Sequence, residues 1–199
     1  MSSLAQPRPA ATIVDAFVRR TIAADVILIA AGTALTALAA QVVVPLWPVP
    51  VTGQTFAALL VGSALGPVRG TASLLLYLLV GALGLPVFSD GSHGLGALVG
   101  TTGGYLVGLV LGTALTGWMA ARKWDRRLLG AIVTYAAGVG VIFVPGLIWL
   151  AATTGAGIAQ TLAWGLYPFI LGEVVKILLA AAVIRCAWRA NWAFRSPRP

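Results

Sequence analysis

The basic residues of this chain fall into alternate gaps between apolar stretches, and that alternation restricts the fold more than any other feature. Six stretches read as membrane-crossing helices: Thr21 to Val44, Gln54 to Leu65, Gly70 to Leu85, Gly103 to Ala121, Leu128 to Ala152 and Leu162 to Ala187. A hydrocarbon core about 30 Å thick needs roughly 20 apolar residues per helix, so the short second and third stretches must be tilted or completed by neighbouring loops. Arg8, Arg19 and Arg20 precede the first stretch, and Arg69 separates the second from the third. Arg122, Lys123, Arg126 and Arg127 fill the link after the fourth, and Arg185, Arg189, Arg195 and Arg198 close the chain. The links Pro45 to Gly53, Pro86 to Thr102 and Thr153 to Thr161 hold neither Lys nor Arg. Six helices with both termini in the cytoplasm predict this pattern, because short cytoplasmic loops concentrate Lys and Arg. A miscount by one span would scatter basic clusters over both sides.

The chain therefore reads as an all-α integral membrane protein, multi-pass in the cell membrane. Residues 1–20 form a cytoplasmic tail, 21–187 a six-helix bundle and 188–199 a second basic tail. Composition agrees: of 199 residues, 59% are hydrophobic and 9% charged. A soluble domain carries about 25% charged residues, so these few charges cannot cover a globular surface. The net charge of +8 follows the cytoplasmic ends and calls for no nucleic acid. Trp47, Trp149 and Trp164 fall near the outer ends of spans, and Trp118, Trp124, Trp188 and Trp192 near the inner ends, where indoles favour the headgroup level. An A-x-A pattern at Ala37 to Ala39 resembles a signal-cleavage site, but the apolar run is longer than a secretory h-region and its loss would leave an odd number of spans. The lone Cys186 excludes an intrachain disulfide and reads as a small apolar filler.

Two features mark surfaces. Small residues recur at four-residue spacing in the first span, Ala30 with Ala34 and Gly32 with Thr36 and Ala40, which lets a second helix approach closely. Internal packing and docking of a separate membrane subunit both use such strips. The proline-stiffened link Pro45 to Gln54 and the glycine-rich link Pro86 to Thr102 read as lids over an outward cavity or as plain surface loops.

The chemistry concentrates at Glu173 and Lys176. Every other basic residue sits at a cytoplasmic end, whereas Lys176 falls inside the last span, and the i,i+3 spacing sets it on one helix face with Glu173. An ionised group at mid-bilayer costs about 2.5–3.5 kcal/mol, so such groups face a polar cavity or each other. A mutually neutralised pair is the structural alternative. In the functional reading Lys176 meets a ligand carboxylate and Glu173 accepts N–H groups. His93 has no partners for a metal site and reads as a loop residue, Asp25 as a helix-start residue and Asp125 as one charge among many. No metal or other cofactor is expected. Neither Lys123 nor Lys176 follows a phosphate-cradling glycine motif, so this chain does not hydrolyse ATP by that route, and movement of a solute against its gradient would draw its energy from a partner. No nucleophile constellation supports an enzyme, and a single acid–amine pair is a poor ring for a channel.

Several motifs resemble the BioY family, the substrate-binding components of biotin transporters: VPVTGQTF from Val49 to Phe56, GPVRG from Gly66 to Gly70, YLLVGALGLPVF from Tyr77 to Phe88, GTTGGY from Gly100 to Tyr105, GLYPF from Gly165 to Phe169 and GEVVK from Gly172 to Lys176. The resemblance runs over roughly residues 20 to 185. It implies a six-helix S component of an energy-coupling factor (ECF) transporter that captures biotin in an outward pocket. It also implies a transmembrane coupling subunit, docked on the Ala30 and Ala34 strip, and two ATPase subunits. By position, Lys176 would hold the ligand carboxylate and Glu173 the ureido ring, although the residues leave the reverse open. Phe88, Asp90, Ser92, Gly103, Gly104 and Tyr105 would line the pocket with Gln54 and Phe56. The family often has Asp at Glu173, implying a reshaped pocket, and Pro at Thr101, implying a softer turn here. Whether the protein works alone, as a homo-oligomer or with ATPase subunits stays open at this stage, as does an S component for another vitamin.

Overall fold

The computed structural model describes residues 12–18 and 20–195, with side chains to residue 190. Arg8, Arg19 and Arg198 lie outside the described residues, as does the side chain of Trp192. The N-terminal segment reaches the bundle through a 3-10 turn, Val14–Ala16. Ile13 is buried in a cluster with Leu59, Tyr135, Ala181 and Ile184. Asp15 accepts from Arg20 at 2.8 Å and Arg69 at 2.9 Å, and Arg69 also pairs with Asp25. Burial raises the Asp15 carboxyl, but hydrogen bonds from Arg20, Thr12 and Arg69 outweigh it and hold the group below its ordinary value.

Helix α1 (Ile22–Ala40) starts where the Thr21 hydroxyl accepts the Ala24 N–H at 3.1 Å, a side-chain N-cap. It ends four residues before the expected Val44, because Val43–Val44 forms strand β1 and pairs antiparallel with β2, Val51–Thr52. Its two small-residue strips part company. Gly32, Thr36 and Ala40 are buried, with Gly32 against Ser73, whereas Ala30 and Ala34 are exposed.

Helix α2 (Gln54–Ala82) is two antiparallel arms, 54–65 and 67–82, because Gly66 takes φ 83° and ψ 179°. Only glycine enters that region without strain, and Pro67 has no N–H to carry the helix through. The reversal is tight. Gln54 Nε2 donates to Tyr77 Oη at 2.6 Å across the hairpin. The link expected between spans is thus one glycine, and Arg69 belongs to the second arm's first turn. The arms rise about 18 Å and 24 Å, less than a bilayer core. Beyond Gly84, at φ 106°, come a 3-10 turn (Ser89–Gly91) and helix α3 (Gly94–Val99).

Helices α4 (Gly103–Ala121) and α5 (Leu128–Thr154) form the far wall, joined by the 3-10 turn Trp124–Arg126. The expected last span is interrupted. α6 (Ile158–Gly165) ends at Leu166, the turn Tyr167–Phe169 contains Pro168, and α7 runs Ile170–Arg195. Proline cannot donate the helix-continuing N–H, so the membrane helix starts at residue 170 and continues past the expected end at 187. The crossing helices α1, the two α2 arms, α4, α5 and α7 match the six-span reading. Leu38, Leu79, Ile148 and Leu171 are more than half exposed, an apolar girdle suited to lipid.

Asp125 departs from its reading as one charge among many: it is fully buried and accepts from Trp188 Nε1 at 3.4 Å. Burial pushes its carboxyl up to about 6. A carboxyl raised in this way keeps its proton longer folded than unfolded, so stability falls as pH climbs from 3.8 through about 6. Thermal melting in detergent is expected to show about 1 kcal/mol lost between pH 5 and pH 7, and Asp125→Asn is expected to flatten that slope. An unchanged slope in the variant assigns the effect to another group.

Candidate ligand-binding cleft

The end opposite the basic clusters holds a cleft with about 570 Å³ of space unfilled by protein, part of it open to solvent. The Tyr167–Phe169 turn restarts the chain as α7 and puts Glu173 in that helix's first turn. A helix N-terminus favours negative charge there. Lys176 Nζ donates to Glu173 Oε1 at 2.7 Å, to the Thr52 carbonyl at 2.6 Å and to Thr55 Oγ1 at 3.0 Å. Thr55 Oγ1 donates onward to Glu173 Oε1 at 2.8 Å. The pair is therefore bonded through α2 as well as to itself. All three ammonium hydrogens have acceptors, but Glu173 Oε2 is buried without a hydrogen-bond partner. A buried acceptor left unpaired costs about 1–3 kcal/mol, more when charged. An N–H donor entering the cleft relieves that cost.

An aromatic wall faces the pair. Tyr105, Phe143 and Phe169 lie with ring centroids 5.6–6.3 Å apart, and Tyr105 Oη is tied to the Gly165 carbonyl at 2.8 Å. Leu106, Leu109 and Ile142 continue the wall. A covering loop closes the third side. Phe88 is buried edge-on against Tyr77 at 5.3 Å. Gln41, just past α1, donates to the Phe88 carbonyl at 3.1 Å and accepts the Gly91 N–H at 3.1 Å. A relay runs from Thr52 Oγ1 to Gln54 Oε1, from Gln54 to Tyr77 Oη, and from Tyr77 to the Val87 carbonyl at 3.1 Å. Thr52 thus links the covering loop to the Lys176 ammonium.

Six of the residues singled out from sequence line the cleft: Glu173, Lys176, Gln54, Tyr105, Phe88 and Ser92. Four do not. Phe56 faces a separate apolar groove beside Leu35 and Leu38 of α1. Gly103 packs against the Leu98 carbonyl and Gly104 against the Pro145 carbonyl and Trp149, so both serve helix contact. Asp90 is exposed on the covering loop at φ 55°. Thr101, expected to soften its turn, instead donates to the Pro48 carbonyl at 3.0 Å and joins two loops. Thr52, Thr55, Phe143 and Phe169 were missed. Thr52, Thr55 and Phe169 sit inside the quoted motifs, but Phe143 lies in an apolar run with no local signal.

A bundle of apolar helices with a polar cleft at the end opposite the basic clusters defines a multi-pass membrane protein of substrate-binding design. The chain matches the BioY family over residues 9–192, and it belongs to that family. It is 37% identical to the probable biotin transporter BioY of Pyrococcus horikoshii, over 81% of this chain and 94% of that protein. It is also 37% identical to the biotin transporter BioY of Thermotoga maritima, over 78% and 92%. The crystal structure of the S-component for biotin from an ECF-type ABC transporter superposes with a TM-score of 0.76 at 25% identity, covering 84% of this chain and 94% of that one.

Proposed function

We propose that this protein is the biotin-binding S component of an energy-coupling factor transporter in the cell membrane, with both termini in the cytoplasm. The unpaired buried oxygen of Glu173, beside Lys176 and opposite an aromatic wall, carries the reading. Biotin offers ureido N–H donors, an apolar bicycle with an aliphatic tail, and a terminal carboxylate. Glu173 Oε2 accepts a ureido N–H, the Tyr105, Phe143 and Phe169 wall covers the apolar part, and Lys176 exchanges its bond to the Thr52 carbonyl for the ligand carboxylate. The exposed Ala30 and Ala34 face of α1 docks the coupling subunit, and partner ATPase subunits supply energy. Calorimetric titration of the purified protein tests the binding step. Biotin is expected to bind tightly, its methyl ester at least tenfold more weakly, and thiamine and riboflavin not at all. Absence of biotin binding sinks the reading, and equal binding of the ester removes Lys176 from the carboxylate.

Gln41 belongs to the same proposal as the anchor of the covering loop. Gln41→Ala removes its contacts with Phe88 and Gly91 without touching the cleft wall. Biotin dissociation, followed by rapid mixing, is expected to speed up about tenfold, in line with two lost hydrogen bonds. An unchanged rate removes Gln41 from the control of biotin release.

A further inference from the structure

The basic end carries a second cavity that ligand capture leaves unused. It is an open groove with about 1070 Å³ of space unfilled by protein, much of it open to solvent, at the start of α5, lined by Lys123, Trp124, Arg126, Arg127, Leu129 and Val133. Lys123, at φ 71°, turns the chain out of α4, and Lys123 and Arg127 flank the Trp124–Arg126 turn with both side chains exposed. Arg126 stacks on Trp188 at 4.3 Å at the inner edge. The nearest acid, Asp125, is fully buried behind the turn and leaves the groove cationic.

The opposite wall is apolar. Leu129 is 74% and Val133 47% exposed, and their i,i+4 spacing makes a stripe running from the cations down α5. Trp118 and Trp124 are half exposed at the same end, with Arg122 stacked on Trp118 at 3.5 Å. Indoles settle at the level of lipid headgroups. The groove is thus basic at headgroup depth and apolar where acyl chains begin.

We propose that this groove seats an anionic phospholipid, its phosphate held by Lys123 and Arg127 and an acyl chain laid along Leu129 and Val133. Charge complementarity selects the headgroup, and the stripe distinguishes a lipid from a soluble phosphate, which has no use for it. Each cation near a membrane surface contributes roughly a fivefold gain in affinity for anionic lipid.

Native mass spectrometry of the full chain, titrated with phosphatidylglycerol or phosphatidylcholine of matched acyl chains, tests the site. Phosphatidylglycerol is expected to bind at least fivefold more tightly. Lys123→Gln and Arg127→Gln are each expected to weaken it roughly fivefold. Leu129→Asn is expected to weaken it too. Arg189→Gln, which removes the same charge from α7 outside the groove, is expected to leave it unchanged. Melting temperatures near that of the parent show the variants to be folded, and Arg127→Lys restores binding in a variant that keeps the charge. Equal binding of the two lipids overturns the proposal. So does equal loss in Arg189→Gln, which would mean diffuse surface charge, or displacement of the lipid by millimolar inorganic phosphate, which would mean an anion site without a lipid.

Discussion

Lys176→Met is expected to weaken biotin binding at least a hundredfold in calorimetric titration. The Lys176 side chain is only 15% exposed, and its ammonium holds three acceptors together: Glu173 Oε1, the Thr52 carbonyl and Thr55 Oγ1. Methionine matches the length of the stem but supplies neither charge nor donor, leaving Glu173 in an apolar wall with Thr55 as its one donor. Truncating one partner of a buried, hydrogen-bonded charge pair costs about 2–5 kcal/mol, roughly thirtyfold to several thousandfold in affinity. A purely structural pair gives the same first result by unfolding, so the double variant Lys176→Met/Glu173→Met decides between the two. Replacing a whole buried ion pair by apolar side chains is often neutral or stabilising. The double variant is expected to recover the parental melting temperature while biotin binding stays lost. Retained binding in either variant removes the pair from the site.

The parts of this fold that were legible in sequence are those the bilayer enforces. Charge placement tracks membrane sidedness, so the number of spans follows from where Arg and Lys fall, whatever the helices do inside. The cost of burying an amine made Lys176 conspicuous for the same reason. What escaped the sequence depends on facing and on local backbone geometry. Arm 54–65 is apolar nearly all round, so its residues gave no preferred face, and Phe56 and Gln54 looked equally suited to the pocket although they point into different cavities. Gly103 and Gly104 carry a pocket motif but spend their missing side chains on contact with Leu98 and α5. Phe143 is one aromatic among apolar neighbours, and only the approach of Tyr105 and Phe169 from other helices makes it part of a wall. Asp125 was hidden by its neighbours. Among four basic residues it read as one charge among many, and its burial depends on α7 bringing Trp188 across.

Gly117→Ala is expected to cost more than 3 kcal/mol and to lower the melting temperature in detergent by about 10 °C. A Cβ at Gly117 lies 2.6 Å from both Gly66 C and Pro67 N, and 2.8 Å from Pro67 Cα. All three are main-chain atoms of the reversal between the α2 arms, so no side chain can rotate out of the way. Nor can the reversal itself relax, because Gly66 at φ 83° and the proline ring after it fix its path. Helix α4 must move instead, and α4 is packed on its far side against α5, where Gly108 meets the Ile142 carbonyl and Gly112 meets the Ile142 side chain. Ordinary overpacking costs about 1–3 kcal/mol when side chains absorb it, and a clash confined to backbone exceeds that range. Gly140→Ala is the matching control: the same added methyl, in a helix, with nothing within 4 Å of its Cβ. Alanine's higher helix propensity makes that variant neutral or slightly more stable. Equal melting temperatures for the two variants would mean that α4 and the hairpin do not meet as closely as 2.6 Å, and the wall that carries Tyr105 against Phe143 and Phe169 would then need a different support.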